Sequence, residues 1–173
     1  MKKIPLTKGQ VAIVDDEDFE YLSQFKWHFK KGRCKKIGYA ARCEYLGKVD
    51  GRYKQITILM HKEIMNSFDH EIDHRDGDGL NNQKFNLRPA TSSQNAMNRT
   101  KQRFNNGPTS SKYKGVYWHS RDKHWVARIT VDRRVIPIGI FCTEIDAAMA
   151  HDEAALKYHG EFAKINGASH RKA

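Results

Sequence analysis

The sequence predicts an α+β protein in two units. The first is a set of small sheets ending in a strand–loop–strand–helix segment; the second is a three-stranded antiparallel sheet packed on one helix. Three observations predict this. Between Ile72 and Arg99 a short apolar start, an Asp-Gly-Asp-Gly run, a second apolar stretch and a capped polar segment follow one another. From Lys112 to Phe141, three strand-like stretches precede an alanine-rich segment. Between them, Asn105-Asn-Gly-Pro-Thr-Ser-Ser111 is a linker by composition. The boundaries drawn are 1–104 for the first unit, 105–111 for the linker, 112–167 for the second unit and 168–173 for a tail.

Residues 1 to 60 read as small strands around one short helix. Val11 to Val14 is an apolar strand, and Asp15 to Asp18 is an acidic cap for a helix through Phe19, Tyr21, Leu22 and Phe25. Trp27 and Phe29 alternate with polar residues, as in a half-buried strand. Ile37 to Cys43 and Ile56 to Met60 are further strand candidates. Lys30, Lys31, Arg33, Lys35 and Lys36 surround Gly32, either as a phosphate-contacting hairpin or as a solvated turn. His61 opens a short helix to Met65. It either serves the structure, the reading favoured, or touches DNA.

The 173 residues carry a net charge of +11 and an isoelectric point near 9.6. So basic a balance points to a polyanionic partner, nucleic acid being the commonest. No apolar run approaches the ~20 residues of a membrane span. Met-Lys-Lys-Ile-Pro-Leu carries no signal-peptide core, so the expectation is a cytoplasmic protein with no membrane partner. Cys34, Cys43 and Cys142 form no Cys-x-x-Cys pair, so no zinc site is expected.

The segment around Asp73 and His74 carries the chemistry. Asp76-Gly-Asp-Gly79 is a turn, because glycine tolerates positive φ and Asp bonds its own backbone. Leu87 to Ala90 is a second short strand, and Thr91 or Ser92 caps a helix bearing Gln94, Asn95, Asn98 and Arg99. Asn86 follows His74 by twelve residues, and Asn95 follows Asn86 by nine. From Thr57 to Lys101 this order resembles the HNH nuclease motif, the ββα-metal fold, in the form found in phage homing endonucleases. The resemblance implies His74 as general base, Asn86 as the residue that orients it, and Asp73 and Asn95 as ligands of one divalent metal. Asn95 stands where the family name has His, and supplies oxygen in place of nitrogen. Oxygen donors suit Mg2+ or Mn2+. Histidine suits proton abstraction near neutral pH. Arg99, Lys101 and Arg103 follow and are expected to steady a DNA backbone.

In the second unit Lys112 to Trp118 is a strand. In the next, Trp125, Ala127, Ile129 and Val131 share one face, and Val126, Arg128 and Thr130 the other. Asp132-Arg133-Arg134 is a tight turn. Val135 to Phe141 is a third strand, with Pro137 marking an edge. Thr143 caps a helix that runs to His159 and ends at Gly160, with Ala147, Ala148, Ala154, Ala155 and Tyr158 recurring on one face. Tyr113-Lys-Gly-Val, Trp125-x-Ala-x-Ile, Gly139-x-Phe141, the alanine pairs and Gly160-Glu-Phe-Ala-x-Ile-Asn166 resemble the plant ethylene-response-type (apetala) DNA-binding domain. The resemblance implies a sheet that enters the major groove of double-stranded DNA. Lys112, Lys114, Tyr117, His119, Arg121, Lys123, Arg128, Thr130, Arg133 and Arg134 would then face DNA. Tyr117 and His119 stand where plant members carry arginine. Trp118 is either core or contact. Lys112 to Ile136 carries seven basic residues against two acidic ones, whereas Thr143 to Tyr158 carries four acidic against one basic. A basic sheet beside an acidic helix turns the sheet toward phosphates.

Together these imply a homing-type DNA endonuclease, phage-encoded and acting in the bacterial host, as a monomer or a homodimer. The runner-up is a non-enzymatic DNA-binding regulator with an idle HNH unit. An RNA-binding protein is disfavoured, since no recognised RNA module with stacking aromatics is present.

Overall fold

The computed structural model describes residues 1–32, 37–49, 51–101 and 109–169. Of the expected groups, Arg33, Lys35, Lys36 and Arg103 lie outside the described residues, as do most of the linker and the last four residues. The chain divides into two compact units, Met1–Thr91 and Ser92–Ala173.

The first unit is built from three small antiparallel sheets. β1 (Lys2–Pro5) pairs with β2 (Val11–Val14); β3 (His28–Lys31), β4 (Gly38–Val49) and β5 (Arg52–Leu59) form a meander; β6 (Glu71–His74) pairs with β7 (Leu87–Ala90). Two short helices, α1 (Asp16–Leu22) and α2 (Met60–Ile64), complete it. Ile4, Leu6, Ala12, Val14, Leu22, Trp27, Ala40 and Met60 form the core. Met60 is fully buried, so truncating it to Ala costs about 2–5 kcal/mol. The Arg42 guanidinium ties α2 to β4 through two bonds of 2.9 Å to the Glu63 carboxylate.

Three features depart from the sequence expectation. β1 was not foreseen, because Lys2, Lys3 and Pro5 mask a strand whose one buried residue is Ile4. β4 and β5 extend well beyond Cys43 and before Ile56, because their far ends are exposed and carry no apolar alternation. Asp15 does not cap α1. Its carboxylate instead accepts from Gln83 Nε2 at 2.9 Å and Lys84 N at 2.8 Å, and so secures the segment leading to β7.

The second unit begins with α3 (Ser92–Met97), so the helix that carries Asn95 belongs to it. β8 (Val116–His119), β9 (His124–Val131) and β10 (Arg134–Phe141) form an antiparallel sheet in the order β10-β9-β8. Pro137 lies on an edge strand, beside a register shift. α4 (Glu144–His159) contacts all three strands. Thr143 Oγ1 caps it by accepting from Asp146 N. Ala147, Ala148 and Ala155 are buried, and Val116 and Ala127 join the first two in the core cluster. Tyr158 is 43% exposed and does not join that face; buried His151 does. Gly115 has φ +73°, and a Cβ there would stand 2.0 Å from the His151 ring. Asn166 closes the unit: its side chain accepts from Lys114 N at 2.6 Å and donates to Lys114 O at 3.2 Å.

Candidate active site and nucleic-acid interface

Asp73 and His74 end β6, opposite Arg88 and Leu87 of β7. Asp73, His74, Asn86 and Arg88 are each no more than 7% exposed, an unusual density of buried polar groups. Arg88 donates from Nε and a terminal nitrogen to Asp73 Oδ2, at 2.8 and 2.6 Å. A buried charge pair adds little net stability but fixes the carboxylate, and removing one partner strands the other.

The loop after His74 is clamped by side chains. Asn86 Oδ1 accepts from Asp76 N at 3.1 Å, and Asn86 Nδ2 donates to Asp76 Oδ1 at 3.0 Å and Asn81 O at 2.8 Å. Asp76 also accepts from Asp78 N and Asn81 Nδ2, each at 2.8 Å. Burial pushes the Asp76 carboxyl up, but these bonds outweigh it and hold the group below the usual carboxylate range. β2 supports the loop from behind: Ile13 N donates to Leu80 O and Asn82 N to Ile13 O, both at 2.8 Å. A Cβ on Gly79 would come within 2.4 Å of Gly38 O and 2.6 Å of the Tyr39 ring, so only glycine fits there.

The His74 ring stands edge-on to His61, with centroids 4.9 Å apart, and Tyr39 lies 5.9 Å away. Burial pulls the His74 imidazole below its ordinary range, while the Asn82 side chain and the carboxylates of Asp76, Asp73 and Asp78 pull the other way. It is therefore neutral at pH 7 and able to accept a proton. His61 is buried more bluntly. Desolvation, then the neighbouring His74 and Lys62, take it down to about 3. Its Nδ1 makes no hydrogen bond among the described residues.

On the second unit, the sheet face away from α4 carries Tyr117, His119, His124, Arg128 and Thr130. The Arg128 guanidinium lies 4.9 Å from the Tyr117 ring centroid. Arg121 and Lys123 are exposed in the β8–β9 turn. Arg133, exposed at φ 64°, shares the β9–β10 turn with Asp132 at φ 48°. Arg134, Lys112 and Arg99 are also exposed. Two expected contacts are turned inward. Lys114 Nζ donates to Met97 O, and burial takes its ammonium down to about 8. Lys101 Nζ donates to Val116 O at 2.9 Å, and burial lowers it as well.

An uncharacterized HNH endonuclease of Acanthamoeba polyphaga mimivirus is 31% identical over 163 residues, spanning 92% of this chain and 76% of its own length. The chain belongs to the HNH endonuclease family. Residues 111–161 match the AP2 domain model. APETALA2-like protein 2 of Oryza sativa subsp. indica, of which this chain spans 13%, is 39% identical over 59 residues.

Sequence reasoning did not pick out Arg88, Asn82 or Tyr39. Arg88 carried a signal, an arginine inside a short apolar strand beside Asp73 in the hairpin register. Asn82, fully buried, was hidden in a polar loop, and Tyr39 comes from a distant strand. The described side-chain bonds of Asn86 run to Asp76 and Asn81, in the loop that follows His74.

Proposed function

We propose that the protein is a metal-dependent endonuclease of double-stranded DNA, of homing type, whose general base and buried carboxylate lie in its first unit and whose second unit holds DNA with its sheet. The observation that carries it is a buried neutral histidine, His74, next to a buried carboxylate, Asp73, at the end of a two-stranded sheet. His74 takes a proton from water; the water oxygen joins phosphorus as the bond to the leaving sugar oxygen breaks. Arg88 keeps Asp73 in place, and the Asn86 clamp keeps the loop behind His74 rigid. Asp73 is the first-unit residue assigned to the metal, and a carboxylate is a hard donor of the kind Mg2+ or Mn2+ requires; the resemblance also assigns Asn95, which lies in the second unit. Bound there, the ion would supply charge neutralisation at the phosphate. Arg128, Thr130, Tyr117, His119, Arg121, Lys123, Arg133 and Arg134 form the DNA-facing set, with Lys112 and Arg99 beside them.

Incubating supercoiled plasmid with the protein and Mg2+ or Mn2+ should give nicked or linear product, and EDTA should abolish it. Equal cleavage in EDTA would overturn the metal assignment. No cleavage under any metal, with DNA binding intact, would favour a DNA-binding regulator.

A further inference from the structure

The β8–β9 hairpin holds a cluster of metal-ligating side chains, of which the nuclease reading uses only His119, as a DNA-facing residue. His119 and His124 are its terminal cross-strand pair, with rings stacked at 5.2 Å and 10°. The turn from Ser120 to Lys123, with Lys123 at φ 49°, brings Asp122 back toward them. One ligand atom from each of the three residues lies within 4.8 Å of the other two. We propose that His119, Asp122 and His124 form a binding site for a transition-metal ion of the zinc class.

The geometry of the donors supports this. His119 Nδ1 and Asp122 Oδ2 are 3.2 Å apart. Two ligands on a tetrahedral zinc, each about 2.0–2.1 Å from the ion, stand roughly 3.3 Å apart. His119 Nδ1 is shielded from solvent, yet makes no hydrogen bond among the described residues. His124 Nδ1 lies 3.1 Å from the Asp122 backbone carbonyl. A carbonyl only accepts, so Nδ1 carries the proton and Nε2 keeps its lone pair. Metal-binding histidines are oriented in this way, by donating their other ring nitrogen to a carbonyl or carboxylate. Two imidazoles and one carboxylate, with water in the fourth position, suit zinc and the metals that share its liking for imidazole. They do not suit Mg2+, which prefers oxygen. Both histidines are half-buried and Asp122 is exposed, so small side-chain rotations can close the cluster. The ion would brace the end of the hairpin and add positive charge at the sheet.

The test uses the full chain, stripped with EDTA and held in excess Mg2+ so that oxygen-donor sites are filled. Zinc binding is measured by equilibrium dialysis on wild type, His119→Gln, His124→Gln and Asp122→Asn, with circular dichroism as the control for folding. Wild type should bind one more zinc per chain than either histidine variant, and Asp122→Asn should bind it at least tenfold more weakly. A second readout is fluorescence. The Trp118–Trp125 pair, at 5.0 Å, is the next cross-strand pair along the hairpin. Cu2+ should quench wild type at near-stoichiometric amounts, and the histidine variants only at much higher concentration. Equal stoichiometry and quenching in wild type and the folded variants would overturn the site and leave the cluster an ion pair beside stacked rings. Neither readout depends on DNA cleavage.

Discussion

Strand β6 ends by burying Asp73 and His74, whereas strand β9 turns Arg128 and Thr130 out to solvent. Both strands pair antiparallel, but β6 buries three successive residues whereas β9 alternates, so they place their polar groups in opposite environments. Under the loop and β2, burial keeps an imidazole neutral and sets a carboxylate against an arginine that donates to it twice. On the open face of the second sheet, helix α4 uses small alanines to fill the covered side and leaves the other side wet. Burial changes what a group can do chemically; exposure leaves it a screened charge that attracts phosphate from a distance. On the proposed reading, buried polar groups serve chemistry in one place and exposed ones serve affinity in the other.

The largest contrast is catalytic. His74→Ala should lower single-turnover cleavage by ~10²–10⁴-fold while leaving DNA affinity within about twofold. Rates measured at saturating DNA would check this, and near-normal turnover would remove His74 from its role.

Stability should divide in the same way. Arg88→Ala removes a buried arginine that donates twice to Asp73 and should cost about 3–5 kcal/mol in denaturant unfolding. Arg128→Ala removes an exposed guanidinium over Tyr117 and should cost no more than about 1 kcal/mol. Similar losses in the two variants would erase the distinction between the strands.

Acid should find the first unit through His61. Its folded pKa, about 3, lies below its unfolded value near 6.5, so the unfolded chain binds more protons between those limits. Stability is then full above pH 6.5 and falls as pH drops toward 3, by up to about 1.4 kcal/mol per pH unit for one such group. His61→Phe should flatten that limb in thermal melts taken from pH 4 to 7. His74 and His151 shift in the same direction, so a shallower limb should persist.

The smallest effect is on the sheet. Arg128→Ala should weaken DNA binding by roughly tenfold and reduce the log–log salt slope by about 0.9 if the group meets phosphate. A loss confined to some sequences, with an unchanged slope, would mean base contact instead.

Much of this contrast was legible in the sequence. Alternation assigned the two faces of β9, and Thr143 and Gly160 marked the ends of α4. Asp73, His74 and Asn86 were visible as a spaced set, and the structure buries all three in the first unit. What stayed hidden depended on contacts between distant segments. Asp15 looked like a helix cap because its nearest backbone is a helix, yet its bonds go to Gln83 and Lys84. Lys101 and Lys114 looked like surface cations until tertiary carbonyls claimed them. Charge counting cannot see a lysine that bends inward, and periodicity cannot see which loop lies over a histidine.

The central claim is that chemistry and affinity reside in separate groups. It is tested by measuring both DNA affinity and the saturated single-turnover rate on wild type, His74→Ala, Arg128→Ala and the double variant. His74→Ala should change only the rate, Arg128→Ala only the affinity, and the double variant should show the two losses together without interaction. A loss of affinity in His74→Ala that matches its loss of rate would contradict the claim, as would a loss of saturated rate in Arg128→Ala with affinity unchanged.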